Sequence, residues 1–212
     1  MKIPVHPYHP GWVQRFEAEK DLISRVLQGK ISSIEHIGST SVPGLAAKPI
    51  IDILIGVGEE RDLDPVVQPM VEAGFTYFKK YEANLPYRRL LVRLRALTGL
   101  PIPALIGPDD EYITGVDFTS DTHVHIIPVT SPHYFRHIAF REYLRAHPPV
   151  RDAYAELKLA LASKEFGHHL DYNAAKHDFV LKTEAEAVQW YRQQPDARAL
   201  LSLMEEKKEK NE

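Results

Sequence analysis

Residues 34–57 carry a change of hydrophobic pattern around which the chain is organised. Ile34-Glu35-His36-Ile37 alternates apolar and polar positions, and Gly38-Ser39-Thr40-Ser41 breaks the alternation. After Pro43-Gly44, the run from Ile50 to Val57 is aliphatic except for Asp52 and Gly56. The pattern predicts a short strand, a tight turn and a second strand covered on both faces near the middle of a sheet. Period-two alternation puts Ile50, Asp52, Leu54 and Gly56 on one face and Ile51, Ile53, Ile55 and Val57 on the other. An unpaired carboxylate buried in such a strand costs several kcal/mol, a large share of a domain's net stability. Asp52 therefore needs a cation, hydrogen-bond donors or a cleft.

Helical periodicity flanks this unit. Trp12, Phe16, Ile23, Val26 and Leu27 fall on one face of a helix that follows Tyr8-His9-Pro10-Gly11 and ends near Gly29. Trp12 reads as a core anchor, because aromatics dominate packing. Leu63, Val66, Val67, Met70 and Val71 describe a second helix, in which Pro65 suits a start and Pro69 demands a kink or a late start. Gly74 should end it, followed by a strand over 75–81 and a turn at Asn84-Leu85-Pro86. From Tyr87 to Arg95, alternation would put Arg89, Leu91, Arg93 and Arg95 on one face. Residues 97–111, rich in Gly and Pro, read as an irregular loop. A strand over 112–118, a turn at Thr119-Ser120-Asp121 and a strand over 122–129 complete the expected sheet.

Ser131-Pro132 should open a helix with Phe135, Ile138, Ala139 and Tyr143 on one face, stopped by His147-Pro148-Pro149. The next turns Val150, Tyr154, Leu157 and Leu161 inward and ends around Gly167. Asp171 could cap a last helix with Tyr172, Ala175 and Phe179 on one face. The tail over 205–212 is too polar to bury and should fray. These elements define an α+β protein, a mixed sheet flanked by helices with additional C-terminal helices. One domain is expected over 1–185, with a helix end and charged tail over 186–212.

Composition narrows the function classes. A chain of 212 residues can bury a full core, and 29 acidic against 26 basic residues leave a net charge of −3. That balance lacks the basic excess of a nucleic-acid binder, so a small-molecule or protein partner is expected. With no cysteine, disulfides, thiolate catalysis and cysteine-based zinc sites are excluded. The start lacks a signal-peptide apolar region and no apolar run reaches about 18 residues, so a cytoplasmic protein without membrane association is expected. Oligomeric state is left open.

Several residues carry candidate chemistry. Gly38 permits close backbone approach, and Ser39, Thr40 and Ser41 offer donors suited to phosphate oxygens, or a serine there simply caps the turn. Arg88 and Arg89, in a stretch that also holds Arg93 and Arg95, can clamp phosphate bidentately or form a solvated edge. His123-Val124-His125 places two imidazoles on one strand face, and with Asp52 they would give two histidines and a carboxylate, a donor set for Mn, Fe or Zn. Asp117 is better placed than Asp121 as a further acid. Lys158 and Lys176 can reach phosphates or snorkel beside the core. His168-His169 reads as incidental, because adjacent residues point different ways.

The stretch from His36-Ile37-Gly38-Ser39-Thr40-Ser41 through Pro43-Gly44-Leu45-Ala46-Ala47-Lys48-Pro49 to Asp52 resembles the signature of the GrpB family, usually placed in the nucleotidyltransferase superfamily. Tyr8-His9-Pro10-Gly11-Trp12, His123-Val124-His125, Phe140-Arg141-Glu142-Tyr143-Leu144-Arg145, Tyr154 with Lys158 and Tyr172 with Lys176 extend the resemblance over about residues 3–185. It implies a nucleotidyltransferase-like fold whose Gly-Ser turn faces a nucleotide and whose strand carboxylates hold Mg2+ or Mn2+. On that pattern Gly38, Ser39 and Thr40 would hold phosphate, with Lys48, Arg88 and Arg89 on its negative charge. Asp52 and Asp117 would be the catalytic acids, with His123 or His125 assisting at the metal. The chain departs from the pattern at Leu54, where the superfamily has its second acid, although two-metal chemistry relies on several carboxylates. Three readings follow: nucleotide monophosphate transfer to an unknown acceptor, a non-catalytic nucleotide-binding or accessory module linked to coenzyme A metabolism, and a mononuclear metal hydrolase using Asp52, His123 and His125.

Overall fold

The alternating segments form a five-stranded mixed sheet ordered β1-β2-β5-β4-β3. Here β1 is Ser33–Ile37, β2 Ile51–Val57, β3 Thr76–Tyr77, β4 Arg89–Ala96 and β5 Phe118–Pro128. β2 pairs antiparallel with β1 and parallel with β5, and the remaining pairs are antiparallel. The computed structural model describes residues 3–110, 116–166 and 169–211, with the side chains of all of these but 169–170 and 207–211.

Each face of β2 meets a different layer. Ile51, Ile53, Ile55 and Val57 pack with Leu91, Val124 and Ile126 against α1 (Gly11–Val26) and α2 (Val67–Glu72), and Trp12 is buried among them. On the other face, Leu54 and Ile127 are covered by α3 (Pro132–Ala146) and α6 (His177–Tyr191), joined by Ala197 at the start of α7 (Ala197–Asn211). Nearer the start of β2, that same face carries Asp52 and is flanked by α4 (Pro148–Ala162) and α5 (His169–Ala175). The α+β architecture is the expected one. No helix among the described residues is long and apolar enough to cross a membrane.

Local deviations have local causes. α2 starts late, after two 3-10 turns, as Pro65 and Pro69 require, and ends at Gly74 with φ 88°. The bonds from Phe75 N–H to the Met70 carbonyl and from Gly74 N–H to the Val71 carbonyl close a Schellman motif. The strand expected over 75–81 is two residues long, because the chain turns into a 3-10 segment at Lys79–Tyr81 and buries Phe78 against Val92 and Leu94. Thr119, Ser120 and Asp121 are not a turn: they continue β5 and pair with β4 through a bulge between Arg93 and Leu94. The arginines expected in one row find separate partners, Arg93 on Glu19 of α1 and Arg95 on Asp121. Asp171 lies inside α5, and Lys176 separates α5 from α6 where one helix was expected. The tail expected to fray continues α7 to Asn211, in keeping with the helix propensity of Glu and Lys. α6 runs through residue 185 without a break, and Ala187 and Tyr191 belong to the core over the sheet. The expected strand at 112–115, the helix end at Gly167 and the His168-His169 side chains lie outside the described residues.

Candidate functional site

β1 ends at Ile37, paired with Asp52, so the next residue lies against the Asp52 carboxylate. Gly38 has φ 68°, and a Cβ there would run into the Asp52 side chain, so both backbone and space demand glycine. Ser39–Ser41 form a 3-10 turn in which Ser41 Oγ donates to the Gly38 carbonyl at 2.6 Å, leaving Ser39 and Thr40 to line a cavity. The turn is held from outside by α3. Arg145 Nη2 donates to the Ser41 carbonyl at 2.8 Å, and Arg141 Nη1 donates to the His36 carbonyl at 2.9 Å and to Glu35 at 2.7 Å. His36 stacks on Phe16, and its Nε2 sits 3.0 Å from Thr40 Oγ1. Burial lowers the His36 pKa to about 4, against the pull of Asp52, so the ring is neutral.

Parallel register places His123 beside Asp52 and His125 one pleat further on the same face. Asp52 Oδ1 lies 3.3 Å from His123 Nδ1 and 3.9 Å from His125 Nε2. Burial pushes the Asp52 carboxyl up, but the two imidazoles outweigh it and hold the group well below the usual carboxylate range. Arg88 Nη1 is 3.2 Å from His125 Nδ1. Guanidinium can only donate, so Nδ1 accepts and Nε2 of a neutral His125 carries the proton toward Asp52. Burial lowers the His125 pKa, in keeping with that neutral form. His125 thus offers Asp52 an N–H rather than a lone pair for a metal. No group of three or more His, Asp or Glu among the described residues is arranged to hold a metal ion, so these side chains by themselves do not make up a metal site.

Above Asp52 opens a cavity of about 800 Å3 lined by Ser39, Thr40, Lys48, Arg88, His123, Lys158, Tyr172 and Lys176, among others. Lys158 is 3% exposed and donates to Ser39 Oγ at 2.9 Å, with its ammonium 4.3 Å from the Tyr154 ring centre. Lys48 and Lys176 share the Tyr172 ring at 4.5 and 5.3 Å. Burial and the neighbouring Lys176 charge lower Lys158 to about 7 and Lys48 to about 8, with Asp52 pulling Lys48 the other way. Burial also lowers Lys176. Two carboxylates line the cavity among the described residues, and Asp121 is 3.4 Å from Arg95. That leaves Asp52 facing Lys48, Arg88, Lys158 and Lys176. Such a surplus of buried positive charge attracts an anion.

The structure thus brings Gly38, Ser39, Thr40, Lys48, Asp52, Arg88, His123, Lys158 and Lys176 to one place, with His125 beneath. It does not bring Arg89 or Asp117 there. Arg89 points to the opposite face and pairs with Asp64 at 2.7 Å and Glu82 at 3.2 Å, because a strand residue one position from Arg88 or Leu90 must face away from them. Asp117 precedes β5, where its carbonyl accepts from Leu97 N–H. Of the two acids weighed, Asp121 lines the cavity. Sequence reasoning missed Tyr172 as a platform and the apolar wall of Leu85, Leu90 and Val92. The signal for the lysines was the repeated Tyr-x-x-x-Lys spacing at Tyr154/Lys158 and Tyr172/Lys176, which puts each amine over its own ring.

Fold and site define an α+β protein whose mixed sheet floors a cavity lined by lysines and arginines. The family model described as GrpB protein matches residues 2–186, and the chain belongs to the GrpB family. The UPF0157 protein YqkA of Bacillus subtilis is 31% identical over 189 residues, covering 89% of this chain and 48% of YqkA. The chain therefore spans about half the length of that relative. The crystal structure of conserved protein GrpB from Enterococcus faecalis superposes with a TM-score of 0.70 at 34% identity, covering 89% of this chain and 99% of that one. At lower similarity, a dephospho-CoA kinase of Mycolicibacterium paratuberculosis is 26% identical over 189 residues, 87% of this chain and 46% of that protein.

Proposed function

We propose that this chain is a nucleotide-binding member of its family, of nucleotidyltransferase-like type, that holds the phosphate chain of its ligand in the cavity above Asp52. The observation that carries this is the convergence of Lys48, Lys158, Lys176 and Arg88 on a space where Asp52 is the carboxylate not paired to an arginine. Ser39 and Thr40 add hydroxyl groups at the same wall.

Of the sequence-derived readings, the non-catalytic or accessory one is favoured over nucleotide transfer. Leu54, in the second-acid position, is fully buried in the core under α3 and α6, so a carboxylate there would be cut off from solvent. Asp117 stands outside the cavity, and His125 offers Asp52 a proton rather than a lone pair. Mg2+ or Mn2+ beside Asp52 would meet one protein carboxylate not paired to an arginine among the described residues. The same donor set counts against a mononuclear metal hydrolase. The likeness to part of a protein named dephospho-CoA kinase supports an accessory role in coenzyme A metabolism.

Thermal unfolding of the full chain across a panel of nucleotides, with and without magnesium or manganese, tests this. A ligand at a hundredfold its Kd stabilises by about 2.7 kcal/mol. At least one nucleoside di- or triphosphate should raise the Tm by several degrees; a panel without any shift at millimolar ligand would sink the proposal. Nucleotide turnover requiring Asp52 would instead restore the transferase reading.

A further inference from the structure

Lys48, Lys158 and Lys176 are an expensive arrangement. Like charges repel at this range, Lys158 is almost wholly buried, and among the described residues none of the three is ion-paired with a carboxylate. Their contacts are an aromatic ring each and, for Lys158, the Ser39 hydroxyl. An aliphatic side chain at 158 would pack against Tyr154 and Leu161 at no electrostatic cost. The cost is offset if a dianion occupies the gap, where it restores full charge to amines that burial and mutual repulsion have made less basic.

The rest of the cavity has a different character. Asp52 on β2, His123 on β5 and Leu90 and Val92 on β4 follow one another across the sheet, and Leu85 and Tyr81 close the far side. With neighbouring strands about 4.8 Å apart, the apolar wall over β4 lies roughly 10 Å from the amines over β2. That is the length of a phosphate with a ring-sized body attached, laid across the strands.

We propose that Lys48, Lys158 and Lys176 form a metal-independent subsite for a terminal phosphate or diphosphate, with the ligand's uncharged, ring-bearing body lying across β5 against Leu85, Leu90 and Val92. The amines contact phosphate directly, and no divalent ion bridges them. The placement of the body rests on the nucleotide reading above; the amine subsite does not.

Calorimetric titration of the full chain with pyrophosphate and with adenosine diphosphate, each in EDTA and in magnesium, is the test. Pyrophosphate should bind with the same Kd within about twofold in both buffers, and adenosine diphosphate should bind at least tenfold tighter than pyrophosphate. Lys158→Met and Lys176→Met should each weaken both ligands at least tenfold, while Lys158→Met raises the Tm of the free protein. That opposite movement separates a binding residue from a structural one. Binding that appears with magnesium alone would overturn the subsite, as would pyrophosphate affinity unchanged in both lysine variants. Nucleotide binding without any pyrophosphate binding would also overturn it while leaving the nucleotide reading intact. Pyrophosphate binding with no gain for the nucleotide would keep the subsite and overturn the placement of the body.

Discussion

On one side of β2, Ile51, Ile53 and Ile55 are fully buried against α1 and α2; on the other, a single residue away in sequence, Asp52 looks into a cavity ringed by amines. The dry face satisfies every expectation of a stable core, with close-packed aliphatics and neutral contacts. The wet face collects what a stability-driven sequence avoids: a left-handed glycine pressed against a carboxylate, three amines without carboxylate partners among the described residues and a half-buried arginine on an imidazole. Where two faces of one strand differ this far, the costly one is where ligand chemistry belongs. Leu54 marks the boundary, since it lies on the Asp52 face yet is sealed under α3 and α6.

Substitution on the two faces should break this comparison if it is wrong. The largest effect is expected from Ile53→Ala, which leaves a cavity in the dry layer and costs about 2–5 kcal/mol in urea unfolding without changing phosphate affinity. A loss of affinity as large as that from Lys158→Met would mean the two faces are not separate.

Acid should act next most strongly, through His36, a buried polar residue of the dry face. Its folded pKa of about 4 lies below its unfolded 6.5, so the unfolded chain binds the extra proton first. Its contribution is complete above pH 6.5 and falls by about 3 kcal/mol as pH drops to 4. His125 and His137 are lowered in the same direction. Unfolding free energies between pH 7 and 4 should show this slope, and His36→Gln should flatten part of it; an unchanged slope would move the acid sensitivity to the other two histidines.

Gly38→Ala should cost about 1–3 kcal/mol and reduce ligand binding, from backbone strain and the collision with Asp52 together. Paired with Asp52→Ala it should recover part of that stability, because the obstacle is gone while the strain at φ 68° remains. Strict additivity of the two substitutions would contradict the contact. The smallest effect is expected from Arg145→Gln, which removes donors to the Ser41 carbonyl. It should cost about 1 kcal/mol and weaken phosphate binding a few-fold by loosening the turn. No change in affinity would show that the turn keeps its shape without that grip.

Much of the fold was legible because it is local. The aliphatic run of β2, the period of α1, the prolines that delay α2 and the Ser131 cap of α3 are read from spacing within a dozen residues. The misreadings sit where a distant partner overrides local signals. Thr119-Ser120-Asp121 looks like a turn, but β4 offers it a ladder to complete. Phe75 to Tyr81 looks like a full strand, but Phe78 gains more by turning into the cluster with Val92 and Leu94.

The candidate site divides the same way. From the sequence alone came the family resemblance, the Gly38 turn, the exceptional Asp52 and the shared face of His123 and His125, since alternation and glycine chemistry need no partner to be recognised. The tertiary structure alone decided which arginines enter the cavity, that Asp121 and not Asp117 lines it, and that Lys48 meets the distant Lys158 and Lys176 there. Contact with Arg88 sets the tautomer of His125, and burial with mutual repulsion sets the basicity of the lysines. Those depend on distances and burial that no local stretch of sequence encodes.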